Sequence, residues 1–298
     1  MIFQIPRKSF IILGILAFVI AVGALYINYF VPELKFGRIN VISPYKSEAK
    51  ILSERIADLN SFQVEGDLQV DSSVFGAGLK NINSNIFSLI DITNNKFKID
   101  LSSFLRFNAI SKKTYTLSSE IKRSNSEVFY LRFSKADIAP EVLVFIESFL
   151  NSWLRVDKNL MAEILAEEQG YDFSEEQFLE ALRNSFKTIS LFDLTRKISE
   201  NHYSFNIGQK NLAEFLGNLF GDLSGQPFSS DELAAVEDSF YGFNINGEVW
   251  VNSTDGLPEK IKLNWNDFVT ADLRFSKYNQ VTSIKPPAKA VPLEKLLQ

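Results

Sequence analysis

Phe62-Gln63-Val64-Glu65-Gly66-Asp67-Leu68-Gln69-Val70-Asp71 alternates without a break. Phe62, Val64, Leu68 and Val70 share one parity with Gly66, while glutamines and acids take the other. Successive side chains of a strand leave opposite faces, so this stretch reads as a strand with one dry face and one wet face. Such a strand belongs to an antiparallel sheet covered on one side only.

Outward from it the signals alternate between strand and helix. Upstream, Ser43-Pro44 reads as a helix cap followed by proline at the first helical position, with Leu52, Ile56 and Leu59 on one face. Downstream, 85–92 and 97–103 flank the turn Thr93-Asn94-Asn95, and 115–122 and 127–133 flank Arg123-Ser124-Asn125-Ser126. The middle of the chain turns helical, with an apolar run from Val142 to Leu150, a short strand at 153–157, and a capping box at Ser174-Glu175-Glu176-Gln177. Strands are expected at 189–194 and 203–207, followed by a helix bearing Leu212, Phe215, Leu216, Leu219 and Phe220 on one face. Ser229-Ser230-Asp231-Glu232 caps one more helix. Three final strands, 243–252, 257–265 and 267–276, include the Asp255-Gly256 turn. Strands at both ends with helices between them indicate an α+β fold around a strongly curved antiparallel sheet.

The 298 residues contain no cysteine, one histidine and 27 phenylalanines. Without cysteine there is no disulfide framework, thiolate metal site, cysteine nucleophile or lipid-modified N-terminal cysteine. His202 alone argues against histidine metal sites and triad hydrolases, and no nucleophile and carboxylate are spaced around it as catalysis needs. A surface or hydrogen-bonded histidine is expected there. A net charge of −5 gives no footprint for nucleic acid. The acidic stretch Glu163 to Glu180 lacks the alternating acids and glycine of a calcium loop and reads as a solvated helix face. No catalytic residue, metal or cofactor is expected.

The first thirty residues set an expected compartment. Phe10 to Ile27 carries no charged side chain, and the apolar run resumes to Val31. A helix of roughly 20 residues spans the bilayer core. Arg7 and Lys8 place the N-terminus in the cytoplasm, and Tyr26 and Tyr29 fall where an interfacial aromatic belt belongs. Pro32 stops the helix. A cleaved signal peptide, cut near Val22-Gly23-Ala24, is the competing reading. An uncleaved anchor is favoured because no polar region precedes that site. The expected organisation is a cytoplasmic N-terminus at 1–9, an anchor at 10–31, a linker at 32–43, a domain at 44–285 outside the cytoplasm, and a tail at 286–298.

Several separated phrases share an order with a known family. They are Asn60-Ser61-Phe62-Gln63-Val64-Glu65-Gly66; Phe129-Tyr130-Leu131-Arg132-Phe133 followed by Trp153-Leu154-Arg155-Val156-Asp157; and His202-Tyr203-Ser204-Phe205 before the Leu212 helix. Gly247-Glu248-Val249-Trp250-Val251 with Leu257-Pro258-Glu259-Lys260-Ile261, and Phe275-Ser276-Lys277-Tyr278-Asn279 leading to Pro286-Pro287, complete the set. This order resembles the exported lipid-binding lipoproteins of the LppX/LprG type, over about residues 44 to 294. The resemblance implies an unclosed half-barrel, related to that of the lipoprotein carrier LolA, with helices on its concave side and acyl chains between sheet and helices. The absent cysteine departs from that pattern, which points to a tethered receptor or handover protein rather than a free shuttle.

A pocket for acyl chains needs apolar walls and few polar groups. Phe62, Val64, Leu68, Phe97, Ile99, Phe129, Leu131 and Phe133 supply such walls on the predicted strands. Val142, Phe145, Ile146 and Phe149 supply them on the apolar helix, which reads either as a lid or as a central core helix. The competing reading is a fully packed structural or protein-interaction domain of the cell envelope, in which the same residues form a solid core.

Overall fold

The computed structural model describes residues 44–71, 79–94, 96–107, 114–124, 128–137, 150–157, 175–281 and 283–296. The expected anchor and the helix expected around Val142 to Phe149 lie outside these residues. Among the described residues no helix is long and apolar enough to cross a membrane. In chain order the elements are α1 (Lys46–Ala57), β1 (Ser61–Asp71), β2 (Leu79–Asp91), β3 (Lys96–Phe107), β4 (Thr114–Arg123), β5 (Val128–Asp137) and β6 (Leu154–Asp157). There follow α2 (Glu175–Thr188), β7 (Asp193–Ser199), β8 (His202–Gly208), α3 (Gln209–Ser224), α4 (Ser230–Ser239), β9 (Asn244–Val251), β10 (Pro258–Trp265), β11 (Val269–Ser276) and β12 (Val291–Pro292), with a final 3-10 turn Leu293–Leu296. The chain is α+β and divides into two compact units, Met1–Asp58 with Gly170–Asn266, and Leu59–Gln169 with Asp267–Gln298.

The first unit lays its helices over four antiparallel strands ordered β10-β9-β8-β7. Cross-strand register puts Leu194, Phe205, Gly247 and Leu263 in one row and Tyr203, Val249 and Ile261 in the next. The apolar members of both rows are buried. α1 packs on β7 and α3 on β8, bringing Leu52, Phe178, Phe186, Leu212, Phe215 and Leu219 into the same interior. The Phe186 and Phe215 rings meet edge to face at 4.8 Å, and Phe192 meets Phe205 at 5.5 Å. Each fully buried large apolar side chain contributes about 1.5–3 kcal/mol through removal from water. The Ser229 box forms as expected, the side chain accepting from the Glu232 amide and Glu232 accepting from the Ser229 amide.

The second unit is mostly sheet, in the order β12-β6-β5-β4-β3-β2-β1-β11. β1 to β6 pair antiparallel with their neighbours, and β1 pairs antiparallel with β11. β12 runs parallel to β6 over two residues, where the Val291 amide donates to the Trp153 carbonyl at 2.7 Å. Val291 and Pro292 of the tail therefore lie along a sheet edge, a position that tolerates Pro292 because its missing N–H faces away from the ladder. Gly66 allows β11 to approach β1, since a Cβ there would stand 2.0 Å from the Asp272 carbonyl oxygen.

Several details differ from expectation. β2 and β3 are longer than the alternation indicated: β2 begins at Leu79, ahead of the expected 85, and β3 runs on to Phe107, past the expected 103, with the two extensions paired to each other. The strand expected at 189–194 begins instead at Asp193. Leu191 and Phe192 are buried in the connection after α2, while the strand proper carries Arg196 and Lys197 on exposed positions. The antiparallel expectation does not extend to β12.

Gly247 tests the first unit's packing. A Cβ on it would lie 2.2 Å from the Lys262 carbonyl oxygen and 2.6 Å from Phe205 Cζ. Gly247→Ala is expected to destabilise the protein by at least about 1–3 kcal/mol, measured by chemical denaturation.

Candidate functional site

Directly opposed residues of an antiparallel ladder point to the same face. In the second unit one row runs Phe62, Ile90, Phe97, Arg123, Phe129 and Val156. The next runs Val64, Ser88, Ile99, Ile121, Leu131 and Leu154. Then come Gly66, Ile86, Leu101, Ser119 and Phe133, and after them Leu68, Ser84, Ser103, Leu117 and Ala136. Phe62, Val64, Leu68, Phe97, Ile99, Phe129, Leu131 and Phe133 therefore share one face, as their parity implied. The Phe97 and Phe129 rings lie 6.2 Å apart. Val142, Phe145, Ile146 and Phe149 lie outside the described residues.

Burial is uneven across this face. Val64 is 0% exposed, and Ser88, Ile90, Phe97, Leu154 and Val156 are also buried. Ile99, Leu101, Leu117, Ile121, Leu131 and Phe133, on the central strands β3 to β5, are only half-buried. Phe62, Leu68, Ile86 and Phe129 on the same face are half-buried as well, so full burial is confined to a few positions and the face keeps accessible apolar surface over much of its width. Accessible apolar surface is what an aliphatic ligand can cover, because covering it removes hydrocarbon from water.

Two features of this face were not foreseen. Arg123 is 1% exposed in the row of Phe97 and Phe129, with its guanidinium 5.1 Å from the Phe129 ring centre. A guanidinium thus sits within this apolar face. Its place beside Ser124-Asn125-Ser126 made it read as part of a turn. The buried serines are the second feature. Ser84 and Ser103 hydroxyls bond at 2.8 Å, and Ser88 donates to the Lys98 carbonyl at 3.2 Å, which satisfies them without breaking the face.

His202 lies in the first unit. Its ring stacks on Trp250 at 4.0 Å and its Nε2 lies 3.2 Å from a Glu248 carboxylate oxygen, the hydrogen-bonded histidine that was expected.

No protein-family model matches the chain, and no curated protein matches it. Similar solved structures do exist. One is the Mycobacterium tuberculosis lipoprotein LppX, 9% identical, covering 80% of this chain and 97% of its own at a TM-score of 0.29. Another is LprF from Mycobacterium bovis, 12% identical, covering 83% and 100% at a TM-score of 0.34. A beta-barrel-like protein of domain of unknown function DUF1849 from Brucella abortus is 9% identical and covers 73% and 98% at a TM-score of 0.30. Solved structures of the LppX type are thus among those this chain resembles. At these TM-scores the likeness decides neither ligand nor anchoring, and the two sheet faces are what bear on function.

The burial contrast can be measured. Leu131→Asp puts a carboxylate on a half-buried position and is expected to leave a folded protein, destabilised by about 1–3 kcal/mol. Val64→Asp puts it on a fully buried one and is expected to prevent folding. Denaturation profiles of both variants check the contrast, and equal losses would contradict it.

Proposed function

We propose that the chain is a membrane-anchored protein that holds a hydrophobic ligand, a lipid or a lipid-modified molecule, against the apolar face of β1 to β6. The observation that carries this reading is the half-buried apolar surface formed by Ile99, Ile121, Leu131 and their neighbours on this face. A packed envelope domain would have those positions buried like Val64. The family resemblance supports the same ligand class, and the uncharged run Phe10 to Val31 supports a single anchor with the N-terminus inside and the remaining chain outside. In this reading the sheet curves as a half-barrel around the ligand. No catalytic step is involved: the ligand is bound and handed over unchanged.

The test is native mass spectrometry of the full chain extracted gently from the membrane fraction. The expected result is co-purifying lipid in the wild type, greatly reduced in folded Leu131→Asp. Absence of lipid from the wild type, or full lipid content in the variant, would overturn the proposal.

A further inference from the structure

The apolar face carries one polar spot whose hydrogen bonding is incomplete. Ser84 of β2 and Ser103 of β3 stand directly opposite each other, with Leu68 beyond them on β1 and Leu117 on β4. Ile82 and Ile86 flank Ser84 on the same face, and Leu101 neighbours Ser103. Ser84 is 6% exposed, and Ser103 is half-buried. Their hydroxyls bond each other at 2.8 Å, and either can be the donor. A serine hydroxyl carries one proton and two acceptor sites. The mutual bond therefore uses one of the two protons. Among the described residues neither hydroxyl has another hydrogen-bond partner, so the second proton has no protein acceptor there. Ser88, on the same strand and face, differs, because its proton goes to the Lys98 carbonyl. The fold has little need of the pair, since replacing both partners of a hydrogen bond by apolar groups is close to neutral.

We propose that the Ser84–Ser103 pair receives the carbonyl oxygen of an ester- or amide-linked acyl chain, whose hydrocarbon lies over Leu101, Ile99, Ile121 and Leu131. The assignment rests on the apolar-face reading and narrows its ligand to an acylated molecule, rather than a bare hydrocarbon or an alkyl ether. On the uncovered face water accepts the second proton. A ligand that covers the face expels that water, and an O–H left without an acceptor then costs its full desolvation. A carbonyl oxygen over the pair supplies the acceptor, and a site built to hydrogen-bond its ligand rejects the analogue that lacks the partner group. Ser103, Leu101 and Ile99 succeed one another on one face of β3, so a chain that starts at the pair runs directly onto the half-buried apolar surface.

Native mass spectrometry of the full chain, offered equal amounts of 1-palmitoylglycerol and 1-O-hexadecylglycerol, tests it. The two probes share headgroup and chain length, and only the first has an ester carbonyl. The expected result is a preference of about tenfold for the ester in the wild type. The double variant Ser84→Ala with Ser103→Ala is expected to melt close to the wild type, to bind both probes, and to bring their ratio near one. Equal binding of the two probes by the wild type overturns the proposal and leaves the apolar-face reading standing. An ester preference that survives in the double variant, or loss of both probes from it, does the same. A double variant that fails to fold also overturns the proposal, because the pair would then be a requirement of the fold. Binding of neither probe by the wild type overturns the proposal and the apolar-face reading together.

Discussion

Period 2 along β1 sends Phe62, Val64, Leu68 and Val70 to one side of the sheet and Gln63, Glu65, Asp67 and Gln69 to the other. The ladders carry that division strand by strand as far as β6. A slip of one residue at any ladder would exchange the faces, putting Lys98 or Glu120 among the phenylalanines. Local devices hold the register. Asp91 accepts from the Asn94 amide and side chain in the turn between β2 and β3. Asn279 accepts from the Asn60 amide at 2.8 Å beside the start of β1. Gly66 admits the β11 backbone where any side chain would collide with it.

The two units use their strands differently. In the first, the inward rows are buried throughout and met by aromatic side chains from α2 and α3, the pattern of a solid core. In the second, full burial is confined to a few positions of the apolar face, among them Val64, Ile90, Phe97 and Leu154, and most of its apolar residues remain half-buried. That difference assigns the candidate binding surface to the second unit. Arg123 places a guanidinium there, against the Phe129 ring, whose face attracts cations.

Much of this was legible in the sequence where a side chain had to choose a face. The alternation at 62–71, the spacing of Leu212, Phe215 and Leu219, the Ser229 box and the one-face grouping of eight apolar strand residues all follow from periodicity. What escaped reading has physical causes. Serine and asparagine serve equally in turns and ladders, so the extension of β2 through Asn81, Asn83 and Ser84 carried little hydrophobic signal. β7 is a sheet edge with exposed charged positions, while the apolar residues just before it are buried in a connection, and the two signals exchanged places. Arg123 follows from cross-strand register, which a single strand's pattern does not contain.

The central claim is that an aliphatic chain lies on the middle of the β3 to β5 face. Methyl-resolved nuclear magnetic resonance of the full chain, titrated with stearate carrying a nitroxide near its methyl end, tests this most directly. The account predicts saturable broadening of the Ile99, Ile121 and Leu131 methyl signals, while Ile245 and Ile261 in the solid core of the first unit stay sharp. Sharp signals from Ile99, Ile121 and Leu131 at saturating probe, or equal broadening of both groups, would contradict it.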